Sequence, residues 1–291
     1  MDALITHTGT SQDSIRRYSH SVAFIMAAVG GSSGEKVKIG ILGAAGRVGR
    51  RLLALASESA DIEIVCAIVR SGSSSEGKAV KDIEPQIISG TSWESLLCTT
   101  EVDEGNLPDV VIDFSSAEAM SRHCTGLADK GVAFVSGTTG LNEDHRIMLA
   151  DCSKKAPVLW ARNFSLGVNL MQRVCAEVAK ALGPAFDIEI TEAHHNRKAD
   201  APSGTAMAIA ESICSSLGKD PKETLRHGRE GRTDAKRVEG EIGMHALRMG
   251  AVVGEHTVNY ASDFERIELS HRAQTRDVFA SGALRAARWL G

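Results

Sequence analysis

Between residues 37 and 160, short apolar runs alternate with stretches whose apolar positions recur every three or four residues. Val37-Lys38-Ile39-Gly40-Ile41-Leu42 is a short β-branched run, the pattern of a buried strand. Residues 50–56 have helical composition and spacing, and 62–69 form the next strand-like run. Further strands are predicted over 109–114, 133–136 and 157–160. Helices are predicted over 117–130 and 142–154, the second N-capped by Asn142. Strands that alternate with helices pair in parallel, so this region predicts an α/β fold with helices on both faces of the sheet.

The first strand feeds directly into Gly43-Ala44-Ala45-Gly46-Arg47-Val48-Gly49. Glycines in a strand–turn–helix–strand unit are what a dinucleotide fingerprint requires. Bare backbone approaches a pyrophosphate, and the helix start offers free N–H groups and a positive dipole end. The spacing is G-x-x-G-x-x-G rather than G-x-G-x-x-G, so a plain tight turn stays open for this loop alone. Two more strand ends carry Gly137-Thr138-Thr139-Gly140 and Ala161-Arg162-Asn163-Phe164. Ligands of open parallel sheets bind outside the carboxyl ends of the strands, so three such ends predict one crevice of a Rossmann-like dinucleotide-binding domain.

From residue 164 the pattern changes. A long amphipathic helix is predicted over 166–182, an alternating strand over 187–192, a helix over 206–217 and strands over 243–248, 252–259 and 266–270. This predicts a second, α+β domain whose mixed or antiparallel sheet has one face covered by helices. Residues 276–290 form a last amphipathic helix, expected to close back on the first domain. The expected division is an extension over 1–36, a dinucleotide-binding domain over 37–162 joined by the helix of 276–291, and a second domain over 163–275.

The densest polar cluster is His194-His195-Asn196-Arg197-Lys198, followed by Asp200 and by Pro202-Ser203-Gly204-Thr205 at the start of a helix. So many cations so close make sense around an anion. Ser203 or Thr205 can N-cap the helix, whose free N–H groups suit a carboxylate or phosphate. A His and a Lys beside such a site can give and take protons. Adjacent residues of a strand point to opposite faces, so His194 and His195 are expected to have different tasks. A zinc site on the two histidines with Glu192 or Asp200 is disfavoured, because Arg197 and Lys198 would crowd a cation.

Composition narrows the class. The 291 residues are 43% hydrophobic and 24% charged, ordinary usage for one large or two medium domains. Lys and Arg total 33 against 37 Asp and Glu, and a net charge of −4 argues against nucleic acid as the main partner. No apolar run approaches a membrane span. The six cysteines form no C-x-x-C pair, so buried reduced thiols of a cytoplasmic protein are expected, not a disulfide framework or thiolate zinc. Residues 1–36 stand apart. Gly30-Gly31-Ser32-Ser33-Gly34 reads as a linker, and the Arg16-Arg17 pair before the apolar run 22–29 faintly resembles a presequence.

The run from Glu189 to Ala206 resembles the signature of the dihydrodipicolinate reductase (4-hydroxy-tetrahydrodipicolinate reductase) family, E-[IV]-x-E-x-H-x-x-x-K-x-D-x-P-S-G-T-A, at every fixed position. The likeness extends over residues 37–291 through G-x-x-G-R-x-G, D-F-[ST] at Asp113-Phe114-Ser115, G-T-T-G and N-[FM]-S-x-G-V-N at 163–169. It implies an NADPH- or NADH-dependent oxidoreductase of lysine and diaminopimelate biosynthesis. The implied substrate is a small dicarboxylate, and the implied assembly is a homotetramer with its contacts in the second domain. By matched position, His194 is implied as proton donor and acceptor and Lys198 as proton donor to the ring. His195, Ser203, Gly204 and Thr205 are implied to bind substrate. Gly43, Ala44, Ala45, Gly46, Arg47, Val48, Gly137, Thr138, Thr139, Ala161, Arg162, Asn163 and Phe164 are implied to bind the dinucleotide.

Two positions depart from the family pattern. Val69-Arg70 stands where several members carry a carboxylate and then Arg, and Ser116 replaces a basic residue found in some. Without the carboxylate that takes both ribose hydroxyls, Arg70 and the serines behind it favour a 2′-phosphate, hence NADPH. Two rival readings are weaker. A semialdehyde or acyl-phosphate dehydrogenase needs a thiolate nucleophile at a strand-to-helix elbow, where no Cys stands. A nucleotide-sensing regulator has no use for the His194/Lys198 cluster.

Overall fold

The computed structural model describes residues 3–6, 36–231 and 236–291. The linker read at 30–34, the apolar run 22–29 and the arginine pair 16–17 lie outside the described residues. The chain forms two compact units. One is built from the chain up to Ser165 with Asp277–Gly291, the other from Leu166–Arg276.

The first unit contains β1 (Ala3–Thr6), β2 (Val37–Leu42), α1 (Arg47–Ser57), β3 (Ile62–Ile68), α2 (Val80–Ile83), β4 (Cys98–Thr99), β5 (Val110–Asp113), α3 (Ala117–Asp129), β6 (Ala133–Ser136), α4 (Glu143–Cys152) and β7 (Val158–Ala161). Its sheet has the order β1-β7-β6-β5-β2-β3-β4. Strands β2 to β7 are parallel, and the order reverses at β2, between β3 and β5. Strand β1, inside the segment read as an extension, pairs antiparallel with β7, Ala3 opposite Ala161. The central strands are buried on both faces, with Ile39, Ile41, Val110, Val111, Ile112, Phe134 and Val135 fully enclosed. Each such side chain stabilises the unit by roughly 1.5–3 kcal/mol. Helices α3 and α4 add Met120, Cys124, Leu127, Leu149 and Cys152 to this core. Asn142 caps α4 as expected, accepting the His145 N–H at 3.0 Å while His145 Nδ1 accepts the Asn142 N–H.

The second unit contains α5 (Leu166–Leu182), β8 (Asp187–His194), α6 (Gly204–Ser216), α7 (Pro221–Thr224), β9 (Leu225–His227), β10 (Ile242–Arg248), β11 (Glu255–Ala261) and β12 (Arg266–Arg272). The sheet is mixed, in the order β12-β11-β8-β10-β9. Strand β8 lies at its centre, parallel to β10 and antiparallel to β11. Its period of two carries Ile188 and Ile190 into a core shared with α5 and α6, together with Ile242, Met244, Val258 and Tyr260. The same face continues upward to Glu192 and His194. Strand β11 starts at Glu255 rather than 252, because residues 249–252 turn, with the Val252 N–H on the Met249 carbonyl. The short parallel strand β9 was not expected from the sequence.

Helix α8 (Asp277–Leu290) belongs to the first unit and buries Ala280, Ala283 and Ala287. All six cysteines are buried and unpaired. Among the described residues no helix is long and apolar enough to cross a membrane.

Candidate active site

Three loops meet at the carboxyl edge of the first sheet. The Gly43 and Ala44 N–H groups both donate to the Ile68 carbonyl at the end of β3, which pins the glycine loop beside Val69 and Arg70. Gly43 has φ +86, and a Cβ there would lie 2.8 Å from the Phe114 carbonyl oxygen. A Cβ on Gly49 would lie 2.2 Å from the Gly43 oxygen, so glycine alone lets α1 sit this close to the loop. Helix α1 has Gly46 as its N-cap, with no side-chain cap and no acidic residue in its first turn, which leaves its N–H end to an anion. Arg47 and Arg70 are exposed.

Asp113, at the end of β5, ties these loops together. Its fully buried carboxyl accepts from Ser136 Oγ at 2.6 Å, Thr138 Oγ1 at 2.8 Å and the Ser115 N–H at 3.0 Å. Burial pushes this carboxyl above its usual range, against the hydrogen bonds of Ser115, Ser136 and Thr138. Trp160 Nε1 donates to the Thr138 carbonyl at 2.9 Å, which joins the 137–139 loop to β7. The Phe114 ring lies over Gly137, where a Cβ would fall 2.2 Å from it, and meets Phe164 edge-on at 5.7 Å. The glycine loop, Gly137-Thr138-Thr139 and Phe164 are therefore neighbours.

In the second unit the predicted cluster is built around a buried carboxylate. Glu192, 1% exposed, lies on β8 with Oε2 2.6 Å from His194 Nδ1. Arg248, on β10, covers both oxygens, Nη1 to Oε2 at 2.9 Å and Nη2 to Oε1 at 2.8 Å. Oε1 also accepts the Ser203 N–H at 2.9 Å. Burial pushes Glu192 up, but the bonds from Arg248, His194 and Ser203 outweigh it and hold the group below the usual range. Ser203, not Thr205, caps α6, its Oγ accepting the Ala206 N–H at 3.1 Å. His256 of β11 sits opposite Glu192, with Nε2 3.1 Å from Ser203 Oγ and its ring edge-on to His194 at 5.4 Å. Its burial, with His194 beside it, lowers its pKa to about 4.

His194 is the last residue of β8 and His195 lies just beyond it. His195 Nε2 is 3.4 Å from an Arg276 nitrogen. Desolvation, then Arg197, Arg276, His194 and Lys198, hold the His195 ring below its ordinary value. Lys198 is one-fifth exposed, with Nζ 2.8 Å from Asp200 Oδ1. Gly204 and Thr205 open α6 next to Ser203. His194, His195, Lys198 and Ser203 to Thr205 thus lie along one segment at the end of β8. Asp113 in the first unit and Arg248, His256 and Arg276 in the second have structural parts that the sequence did not single out, and Glu192, weighed there only as a zinc ligand, is the centre of its cluster. Glu192 alone could have been found, as a carboxylate two places before a strand-end histidine, hence on the same face.

Residues 37–164 match the family description "Dihydrodipicolinate reductase, N-terminus", and residues 167–291 match "Dihydrodipicolinate reductase, C-terminus". The chain belongs to the dihydrodipicolinate reductase family. Its relatives include the 4-hydroxy-tetrahydrodipicolinate reductases of Myxococcus xanthus, 45% identical over 86% of this chain and 91% of the relative, and of Psychrobacter arcticus, 40% identical over 88% and 90%. Among solved structures, a dipicolinate-bound dihydrodipicolinate reductase from Paenisporosarcina sp. TG-14 superposes with a TM-score of 0.65. It is 20% identical and covers 88% of this chain and 94% of that one, a likeness of fold. The rival dehydrogenase reading fares poorly beside the family match. Burial raises Cys66 to about 12 and Cys175 to about 11. Cys152, pulled down chiefly by a thiol hydrogen bond with Cys124, ends α4 where the chain turns into the start of β7. That edge is opposite the strand carboxyl ends.

Proposed function

We propose that the protein is a 4-hydroxy-tetrahydrodipicolinate reductase, using NAD(P)H to form tetrahydrodipicolinate on the route to diaminopimelate and lysine. The observation that carries the mechanistic reading is the Glu192–His194 hydrogen bond beside Lys198 and the capped start of α6. The dinucleotide, when bound, supplies the hydride. The uncapped start of α1 and the glycine cradle at Gly43, Gly46 and Gly49 fit its pyrophosphate. Ala44, Ala45, Arg47 and Val48, the 137–139 loop and Ala161, Arg162, Asn163 and Phe164 complete its seat. Arg70 takes the 2′-phosphate, which makes NADPH the better cofactor.

The substrate is a small cyclic dicarboxylate. One carboxylate takes the N–H groups of Gly204 and Thr205 at the start of α6, where Ser203 already caps the turn. The other lies against His195. The 4-hydroxyl leaves as water, Lys198 donates the proton that the ring takes up as the hydride adds, and His194 relays or tunes that proton. In the free protein Lys198 is held by Asp200, and the incoming carboxylates compete for it. The buried free thiols accord with a cytoplasmic protein, and the family relationship supports a homotetramer. Turnover of NADPH with freshly generated substrate tests the reading. Purified, folded protein that oxidises neither NADPH nor NADH in that assay would refute it.

A further inference from the structure

We propose that Glu192 is a positioning residue whose two oxygens serve different parts of the site, Oε2 fixing the tautomer of His194 and Oε1 seating the start of α6, with Arg248 locking both. The role given to His194 rests on the proposed function, whereas the geometry stands without it.

An ionised carboxylate can only accept hydrogen bonds. At 2.6 Å, His194 Nδ1 must therefore carry the proton and donate it to Oε2. That leaves Nε2 to accept or release a proton. This nitrogen faces Gly254, where a Cβ would stand 3.1 Å from it, so the small residue keeps the ring edge accessible. Oε1 takes the Ser203 N–H at 2.9 Å, and Ser203 Oγ takes the Ala206 N–H at the first turn of α6. The carboxylate thus touches the proton-handling ring on one side and the anion-binding helix start on the other. Arg248 donates to both oxygens and also to the Asp200 carbonyl, so the turn between Lys198 and Ser203 hangs on the same guanidinium. With four donors on two oxygens, Glu192 has no freedom to rotate.

The charges around His194 show what Glu192 contributes. On its own strand there is only Glu192. Strand β10 presents Arg248, β11 presents the buried His256 ring, and the following turn brings His195 and Lys198. Glu192 is the carboxylate bonded to the ring, whereas Asp200 in the same turn is held by Lys198. Without this carboxylate the Nδ1 proton of His194 loses its acceptor.

The first test uses the unsubstituted protein. In nitrogen-15 spectra of histidine-labelled enzyme, neutral His194 should show a protonated Nδ1 and a bare Nε2. A protonated Nε2 in the neutral ring would overturn the proposal. The second test compares Glu192→Gln with Glu192→Gln/Arg248→Gln, which removes both members of the buried ion pair and leaves neither charge uncompensated. In each variant that folds, neutral His194 should lose its exclusive Nδ1 tautomer, because an amide at position 192 can donate as well as accept. Turnover should fall about 100-fold with it. A folded double variant whose neutral His194 keeps the parent's single tautomer would also overturn it. If the parent itself reduces no dinucleotide, the functional reading fails while the tautomer still reports on Glu192.

Discussion

Arg51 grips Asp277 with both oxygens of the carboxylate, Nε to Oδ1 at 2.7 Å and Nη2 to Oδ2 at 3.0 Å. The pair ties α1, the helix that follows the glycine loop, to the first residue of α8. Both side chains are near 30% exposed, so the link contributes under about 1 kcal/mol. The tighter constraint is Gly282, where a Cβ would fall 1.7 Å from the Phe164 carbonyl oxygen.

Gly282→Ala should therefore cost more than Asp277→Asn. Backbone must move to admit the methyl group, at about 1–3 kcal/mol. Loss of the exposed ion pair should cost less than about 1 kcal/mol. Urea unfolding of the two variants checks this, and equal midpoints would contradict the assignment.

Lys198→Ala should lower turnover about 100-fold while leaving dinucleotide affinity within about threefold of the parent. In the proposed mechanism the lysine acts on the ring in the transition state, whereas the cofactor rests on the loops of the first unit. Single-turnover kinetics with a separate binding titration would distinguish the two effects. A collapse of NADPH affinity with normal turnover of the bound complex would remove Lys198 from its role.

The strands of the first sheet were legible because a parallel sheet buried on both faces leaves uninterrupted β-branched runs such as those of β2 and β5. The His194–Thr205 segment was legible because its residues are consecutive. The groups that organise it were not. Arg248 and His256 reach Glu192 only through the register of β10 and β11, 56 and 64 positions away, and a single chain carries no mark of strand register. Asp113 was visible as part of a motif. Its task of holding Ser115, Ser136 and Thr138 depends on β5 and β6 lying side by side. The start of β11 was misplaced because Val252 and Val253 look like strand, although Val252 closes a turn with Met249 and Val253 precedes the strand.

Pyridine-2,6-dicarboxylate should bind at the start of α6 and be held by Arg276 as well as His195. Arg276 stands 3.4 Å from His195, and its guanidinium offers a fork to a carboxylate. Arg276→Ala should weaken the analogue about tenfold or more, the loss of one charge-assisted bond. Calorimetry that finds no binding to the parent, with or without NADPH, would remove the substrate site from this segment.

His256 makes stability depend on pH. Its folded pKa is about 4, below the ordinary value of about 6.5, because the ring is buried against His194. Above pH 6.5 the ring is neutral in both states and its full contribution is present. Between 6.5 and 4 the unfolded chain takes up a proton that the fold refuses, so stability falls as the pH falls, by about 3 kcal/mol over the window. Urea midpoints at pH 7 and pH 4.5 should show this drop in the parent and a smaller one in His256→Gln. Equal slopes would show that another group dominates.

Cofactor choice should turn on Arg70. Val69 supplies no carboxylate to take the ribose hydroxyls or to repel a 2′-phosphate, and the exposed Arg70 follows at once. The loop behind it is ordered by its own hydrogen bonds, the Ser73 N–H on the Arg70 carbonyl and the Gly72 N–H on Glu76 Oε2 at 2.8 Å. Ser71 and Ser74 are exposed, while Ser75 is buried and offers nothing to a ligand. A guanidinium with two serine hydroxyls nearby suits a dianionic phosphate better than a bare ribose, and Glu76 is occupied within the loop. Arg70→Ala should raise the KM for NADPH about tenfold, the worth of one charge-assisted pair, and leave that for NADH nearly unchanged. Steady-state kinetics with each cofactor decide it. If the parent prefers NADH and the substitution alters neither constant, Arg70 points into solvent and the preference is set elsewhere.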